Sequence, residues 1–178
     1  MAKAVTPEKL FEGFLAEEGE EVCAVLDGAS VPGLLERLDA EPSLQVACLF
    51  RGQLEPDMAQ VAPYLVRLEP DSEFAQWVVG TGWGRHWGSF VASRQGFRAL
   101  RNHLRALTVI YRKDGTPLYF RYYDPRVLSV FLPTCSPAQL KQMFGPVDAF
   151  LCESEAGDAV SIYRLNGEEL SSVQRKIV

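Results

Sequence analysis

The sequence predicts an α/β protein in which helices flank a mixed sheet, with a β-hairpin in the second half. Two observations carry this prediction. Up to residue 92, short apolar runs typical of strands alternate with segments of helical periodicity. Further along, Asp114-Gly115 lies between two runs rich in β-formers, which is a strong hairpin signal. The alternation also favours some parallel pairing within the sheet.

The first half of the chain is predicted to supply four strands and the helices between them. Thr6 can cap a first helix and Pro7 suits its first turn. The run at 22–26 is continuously apolar, which is typical of a strand covered on both faces. The remaining predictions for this half are strands at 44–50, 62–66 and 87–92, and helices that begin near Ser30, Leu54 and Glu69.

The second half is predicted to contain a long helix, the hairpin and two further helices. Ser93 is expected to cap the long helix, which carries leucines on one face and arginines on another. Asp124-Pro125 and Ser136-Pro137 each place a capping side chain before a proline that suits the first helical position. Two last strands are predicted at 147–152 and 160–165. The weakly patterned tail at 168–178 receives no assignment.

Length and composition are those of a soluble globular domain. With 178 residues, 47% hydrophobic and 23% charged, the chain fits one domain. A division into two lobes, at about 1–92 and 93–178, is the alternative. The N-terminal stretch lacks the apolar run of a signal peptide, and no segment approaches the roughly 18 apolar residues of a membrane helix. A cytoplasmic location is therefore expected.

Charge is distributed unevenly along the chain. Residues 1–73 carry 15 acids and five bases, whereas residues 85–126 carry nine bases and two acids. A basic middle segment could serve a nucleic acid, an acidic partner or the chain's own acidic half. Internal neutralisation is the favoured interpretation, because it requires no further molecule.

Neither a metal nor a disulfide is expected. The four cysteines are far apart and include no pair of zinc-ligand spacing, so they are predicted to be buried free thiols. They are Cys23, Cys48, Cys135 and Cys152. No cofactor is expected either, because the glycines at 80, 82 and 84 follow a helix and precede a strand, the reverse of a phosphate-binding loop.

Catalytic motifs are scarce. The two histidines are His86, in a glycine-tryptophan loop, and His103, within the long helix. No nucleophile motif accompanies either of them. The principal expectation is therefore a protein that is not an enzyme. The alternative is a small hydrolase or transferase that uses His86 with a strand-end carboxylate, either Asp27 or Asp124.

An aromatic and cationic cluster is the most informative feature. Residues 82–88 place two tryptophans among glycines, and residues 120–126 alternate rings with guanidinium groups. Tryptophan, tyrosine and arginine are enriched at binding hot spots. Five residues are predicted to bind a partner or to shape the surface that binds it: Trp83, Trp87, Arg121, Tyr123 and Arg126. The competing interpretation is that the rings are core and that Arg121 or Arg126 pairs with Asp124.

A series of short motifs, in fixed order across residues 22–150, resembles the adaptor/effector-chaperone family of bacterial type VI secretion. Each motif is weak alone, and the order and spacing make the match specific. The motifs are Ala24-Val-Leu-Asp-Gly28, Leu49-Phe50 with Leu54, Ala62-Pro-Tyr-Leu-Val66 with Leu68, Gly82-Trp-Gly84 with Trp87-Gly88, Leu100-Arg101 with Leu104, Phe120-Arg-Tyr-Tyr-Asp-Pro-Arg-Val-Leu128, Leu132-Pro-Thr134 and Phe144-Gly-Pro146.

This resemblance implies a cytoplasmic protein that binds a cognate effector, through the effector's N-terminal or linker region, and helps load it onto the VgrG spike protein. It implies no enzymatic activity and no cofactor. The segment after residue 150 matches least and is expected to help choose the client. A nucleic-acid binder is disfavoured by the overall acidity and by the lack of a recognised module, and no membrane partner is expected.

Overall fold

The structure is a computed structural model that describes residues 10–11 and 17–177. Seven of its strands form one sheet in the order β2-β3-β1-β4-β7-β8-β9, and β5 and β6 form a separate hairpin. The strands are β1 Glu21–Asp27, β2 Val46–Cys48, β3 Pro63–Arg67, β4 Gly88–Ser93, β5 Val109–Tyr111, β6 Pro117–Tyr119, β7 Ala149–Glu153, β8 Ala159–Asn166 and β9 Glu169–Lys176.

Six α-helices lie between these strands in the described part of the chain. They are α1 Leu34–Ala40, α2 Pro56–Val61, α3 Glu73–Gly82, α4 Phe97–Leu107, α5 Pro125–Phe131 and α6 Pro137–Phe144. A turn of 3₁₀-helix, Leu132–Thr134, follows α5 directly. None of the described helices is long and apolar enough to cross a membrane.

The predicted fold class is confirmed, but the expected parallel pairing is wrong. Every described strand pair is antiparallel. The connections from β1 to β2 and from β3 to β4 do link strands of the same direction, as βαβ units should. However, β3 lies between β1 and β2, and β1 lies between β3 and β4. The strands related by each crossover are therefore never neighbours.

The sheet has a core on each face. Along β1, Val22 and Leu26 belong to one buried cluster, whereas Cys23 and Val25 belong to the other. The first cluster includes apolar residues of α1 and α3, and the second includes those of α4, α5 and α6. Alternation along the strand and helices on both faces together give a three-layer α/β/α arrangement.

Local signals located several elements correctly. Asp124 caps α5 by accepting from the Arg126 N–H, and Ser136 forms a capping box with Gln139. The hairpin turns at Asp114-Gly115, as predicted, with Arg112 N–H donating to the Thr116 carbonyl at 2.9 Å.

Other boundaries differ from the predictions. Ser93 is the last residue of β4 and does not cap α4, whose first turn follows Gly96. The unassigned tail forms β9, an edge strand that pairs with β8. The predicted first helix, opened by Thr6 and Pro7, lies mostly outside the described residues. The main sheet contains strands from both sides of residue 92, and the division into lobes stays a prediction.

Candidate functional site

Two buried acids meet at one end of the sheet. Asp27 is the last residue of β1 and Glu153 is the last residue of β7, and both strands run in the same direction with β4 between them. Gly88, which begins β4 at this end, pairs with Leu26. The loop at 83–87 that enters β4 is thus placed between the two carboxylates. We call this region the Asp27 end of the sheet.

Asp27 is fully enclosed and bound on several sides. Its side chain accepts hydrogen bonds from Ala29 N–H at 3.1 Å, Ser30 Oγ at 2.8 Å and Arg121 Nη2 at 2.5 Å. Only 1% of Asp27 is exposed, whereas 47% of the Arg121 side chain is. Burial alone would lower the pKa of Arg121, but the hydrogen bond and charge of Asp27 raise it. The guanidinium group therefore stays charged.

Asp124 forms the second carboxylate–arginine pair of this end. Besides capping α5, it accepts from Arg126 Nε at 3.0 Å and from Arg126 Nη2 at 2.8 Å. Arg121 Nη2 also lies 3.7 Å from Asp124 Oδ2, so Arg121 connects both acids. Burial alone would raise the pKa of Asp124, but the hydrogen bonds from Arg126 lower it. The competing prediction that an arginine pairs with Asp124 is correct.

Trp87 and Tyr123 lie beneath this surface. Trp87 is 6% exposed, and its ring centroid is 4.8 Å from that of Trp77. A side chain at Gly82 would collide with the Trp87 ring, which explains the glycine at the end of α3. Tyr123 is 4% exposed, and burial together with the Asp27 charge raises its pKa to about 12. Both rings can shape the surface but cannot reach a partner directly.

Glu153 organises the loop at 83–87. Its carboxylate accepts the backbone N–H groups of Gly84 and His86, the latter at 2.7 Å. The Trp83 Nε1–H donates to the Gly157 carbonyl at 2.9 Å, in the turn between β7 and β8. Trp83 is half-buried and stacks on Phe90 with a 6.1 Å separation of ring centroids. The tryptophan loop is therefore fixed to β7 and to the turn that follows it.

His86 does not pair with the carboxylates that the enzymatic alternative named. Its Nδ1 lies 2.7 Å from Glu153 Oε1, but within the described residues this atom has no hydrogen-bond partner of suitable geometry. The backbone of His86 has a φ of +57°, a strained value for any residue other than glycine. Asp27 and Asp124 are each engaged by arginine. Sequence reasoning missed Glu153, because nothing local marks it as the partner of a loop 67 residues away.

A cavity of about 290 Å³ opens beside this network. Its lining combines apolar surface with charged and polar residues, among them His86 and Arg126. The lining residues are His86, Pro125, Arg126, Ser129, Val130, Glu153 and Glu155. Val130 is 68% exposed at this surface. The Asp27 end therefore offers a concave, mixed-charge surface whose arginines are held in place by buried acids.

The four cysteines have free thiols in this structure. Burial raises the pKa of Cys23 and of Cys152 to about 12, which keeps both thiols protonated and poorly nucleophilic. Among the described residues, no group of three or more histidines, cysteines and acids could hold a metal ion.

Fold and site together define a three-layer α/β protein with a surface of paired charges at one end of its sheet. A family model described as "Domain of unknown function (DUF4123)" matches residues 22–142, well over half of the chain. The chain belongs to this family. No curated protein and no solved structure matches it.

Proposed function

We propose that the chain is a cytoplasmic adaptor that binds a cognate type VI secretion effector and helps load it onto the VgrG spike protein. One observation carries the proposal. Three of the motifs on which the resemblance depends, at 24–28, 82–88 and 120–128, converge in space at the Asp27 end. Arg121 of the third motif binds Asp27 of the first, although 94 residues separate them.

The geometry of this end suits protein binding. Arg121 and Arg126 are held by buried carboxylates while about half of each side chain stays exposed. A held guanidinium group loses little rotational freedom when it accepts a partner, so pre-organisation favours affinity. Its exposed face can receive a carboxylate or a carbonyl group of a client segment. This supports the assignment of Arg121 and Arg126 as contact residues.

The three aromatic residues of the prediction divide into two roles under this proposal. Trp83, half-buried at the surface, adds apolar contact area beside the arginines. Trp87 and Tyr123 support the loop and the arginine segment from below. The client is the N-terminal or linker region of the effector, with VgrG as a second partner. The adaptor itself is proposed to have no enzymatic activity, cofactor or nucleic-acid partner.

The enzymatic alternative depends on His86. Its contact with Glu153, at the wall of the cavity, is the feature that such an activity would use. Glu153, however, already accepts two backbone N–H groups, which supports a structural role for this carboxylate. The adaptor proposal is therefore the better supported of the two.

Binding can be tested with proteins encoded beside the chain's gene. Calorimetry should show stoichiometric binding of the purified chain to the neighbouring effector, and co-purification should recover effector, chain and VgrG together. A His86→Ala variant should retain this binding. The proposal fails if the effector does not bind, or if the chain turns over an ester or phosphoester substrate and His86→Ala abolishes that turnover.

A further inference from the structure

A second surface of different character surrounds the β5–β6 hairpin. The hairpin forms its own two-stranded sheet, and three of its large apolar or aromatic side chains are exposed: Ile110 by 45%, Tyr111 by 72% and Tyr119 by 65%. Tyr111 and Tyr119 lie on one face of this two-stranded sheet, and Ile110 lies on the other. Isolated exposed apolar residues are common, but a group of them on one short element indicates an interaction site. We call this region the hairpin surface and define it by Phe50, Leu54, Arg105, Ile110, Tyr111 and Tyr119.

The hairpin is flanked by a groove on each side. The first, of about 400 Å³, separates it from the segment around Phe50 and Leu54. The second, of about 420 Å³, separates it from the region of Phe131 and Met143. Val109 and Tyr111 line both grooves. The ring of Tyr119 contacts that of Phe50 at 5.1 Å between centroids, so aromatic residues from distant segments meet here.

The charge that lines the first groove is positive. Arg51 and Arg105 are the charged residues that line the first groove, which includes no carboxylate. Arg112 and Lys113 follow at the hairpin turn. The adjacent carboxylate of Asp114 accepts the Thr116 N–H at 2.9 Å, and this backbone hydrogen bond lowers its pKa.

Internal neutralisation, favoured from the sequence, accounts for only part of the basic segment. Of the nine bases at 85–126, Arg94, Arg121 and Arg126 form ion pairs with acids of the described chain. The other six lack such a pair within the part of the chain that the structure describes, and five of them lie on α4 or at the hairpin turn. These five are Arg98, Arg101, Arg105, Arg112 and Lys113.

Arg105 shows the imbalance most clearly. Its Nη2 donates to the Cys48 carbonyl at 2.6 Å, which fixes the guanidinium group against β2. Its buried Nε has no hydrogen-bond partner among the described residues. An unmet buried donor on a charged group is costly, and a nearby carboxylate would offset part of that cost.

From these observations we infer that the hairpin surface binds an acidic protein segment that places aliphatic side chains in the two grooves. Charge complementarity selects the acidic partner. The aliphatic linings, with Leu54, Met58 and Val109 in the first groove, select a protein segment over a nucleic acid. Base stacking would use the aromatic rings but leave these grooves unfilled. The inference is separate from the proposed effector site and does not depend on it.

The test uses short fluorescein-labelled probes and fluorescence anisotropy. The positive probe is a peptide in which glutamate and leucine alternate. Its matched controls replace every glutamate by lysine, or every leucine by serine, and an oligothymidylate of similar length tests nucleic acid. We expect binding of the glutamate-leucine peptide alone, and weaker binding at high salt because these charges are solvent-exposed.

Variants locate the binding to the hairpin. The double variant Arg112→Glu, Lys113→Glu and the variant Tyr111→Ser should each weaken binding about tenfold or more. Lys176→Glu and Val173→Ser, at an exposed base and an exposed apolar residue of β9, should leave it unchanged. All five positions are exposed, so circular dichroism should report wild-type folding for every variant.

Several results would overturn the inference. The first two are equal binding of the lysine and glutamate peptides, and tighter binding of the oligonucleotide than of the glutamate-leucine peptide. The third is that the hairpin variants bind the peptide like the wild type. The fourth is that the chain associates with itself and the hairpin variants abolish this self-association. The last result would assign the surface to a second copy of this chain. None of these outcomes would affect the effector proposal, whose test uses residues of the Asp27 end.

Discussion

The Asp27 end and the hairpin surface use arginine in opposite ways. At the Asp27 end, Arg121 and Arg126 bind buried carboxylates and expose only part of each side chain. At the turn of the hairpin, the exposed Arg112 and Lys113 have no carboxylate partner among the described residues. The first arrangement fixes the position of a charge, whereas the second leaves a charge available.

Because of this difference, substitutions in the two regions should affect stability and binding to different extents. A paired arginine is part of the folded network, so its loss affects both the fold and any contact that it makes. An unpaired surface arginine contributes little to folding but attracts an acidic partner over a distance set by ionic strength. Substitutions at the Asp27 end should therefore change unfolding, and those at the hairpin should change binding alone.

The largest effect on stability is expected from Trp87→Ala. This side chain is 6% exposed and packs against Trp77, so its removal leaves a cavity. Loss of about 3–5 kcal/mol in the free energy of unfolding is expected, measured by urea denaturation. Tyr111→Ala, at an exposed aromatic of the hairpin, is the control and should change stability by less than about 0.5 kcal/mol. Equal stability of the two variants would show that Trp87 is not a core residue.

Glu153→Gln should have the next largest effect. The glutamate uses both oxygens to accept the N–H groups of Gly84 and His86, whereas glutamine has a single amide oxygen. Leaving one of these part-buried donors unmet should cost about 1 kcal/mol. Urea denaturation measures this loss, and the exposed Glu155→Gln is the matched control. A Glu153→Gln variant with wild-type stability would contradict the assigned role in fixing the loop.

Acid unfolding provides a smaller and more specific effect. The pKa of Asp124 is lowered from its ordinary 3.8. The pairing of Asp124 with Arg126 therefore stabilises the fold fully at a pH well above 3.8, and this stabilisation is lost as the pH falls through the lowered pKa. Arg126→Gln removes the main cause of the lowering. Its acid-unfolding midpoint, followed by circular dichroism, should move to higher pH. Lys113→Gln should not move the midpoint, and an equal shift in both variants would refute the pairing as the cause.

The smallest effect on stability is expected at the hairpin itself. Ile110→Ser, at a position that is 45% exposed, should change the free energy of unfolding by about 0.5 kcal/mol or less. The same variant should weaken binding of the glutamate-leucine peptide. Calorimetric melting and anisotropy on one preparation measure both quantities. Strong destabilisation without loss of binding would reverse the comparison between the two regions.

Sequence reasoning succeeded where the physical cause is local. The capping of α5 by Asp124 and the hairpin turn at Asp114-Gly115 depend on residues only a few positions apart, so the sequence displays them directly. Sheet order is different, because insertion of β3 between β1 and β2 is decided by packing of the whole chain. The edge strand β9 was missed because most of its side chains are exposed and polar, which removes the period-two pattern.

The same limit applies to the candidate site. The residue types at 82–88 and 120–126 predicted a candidate site in these two segments, because tryptophan and arginine are enriched at binding surfaces. The sequence could not distinguish Trp83, which is half-buried, from Trp87, which is buried, since both lie among glycines. Nor could it pair Arg121 with Asp27 or the loop with Glu153, because these contacts join segments brought together only by the sheet.

The most direct test of the adaptor proposal measures effector binding and melting temperature together on Arg126→Ala. If Arg126 is a hot spot, calorimetry with the neighbouring effector should show affinity reduced about thirtyfold, while the melting temperature falls only slightly, because the ion pair that Arg126 forms with Asp124 is partly exposed. Arg67→Ala, at an arginine that is ion-paired at the opposite end of the sheet, should bind like the wild type. Unchanged effector affinity in Arg126→Ala, or equal losses in both variants, would contradict the proposal that the Asp27 end binds the client.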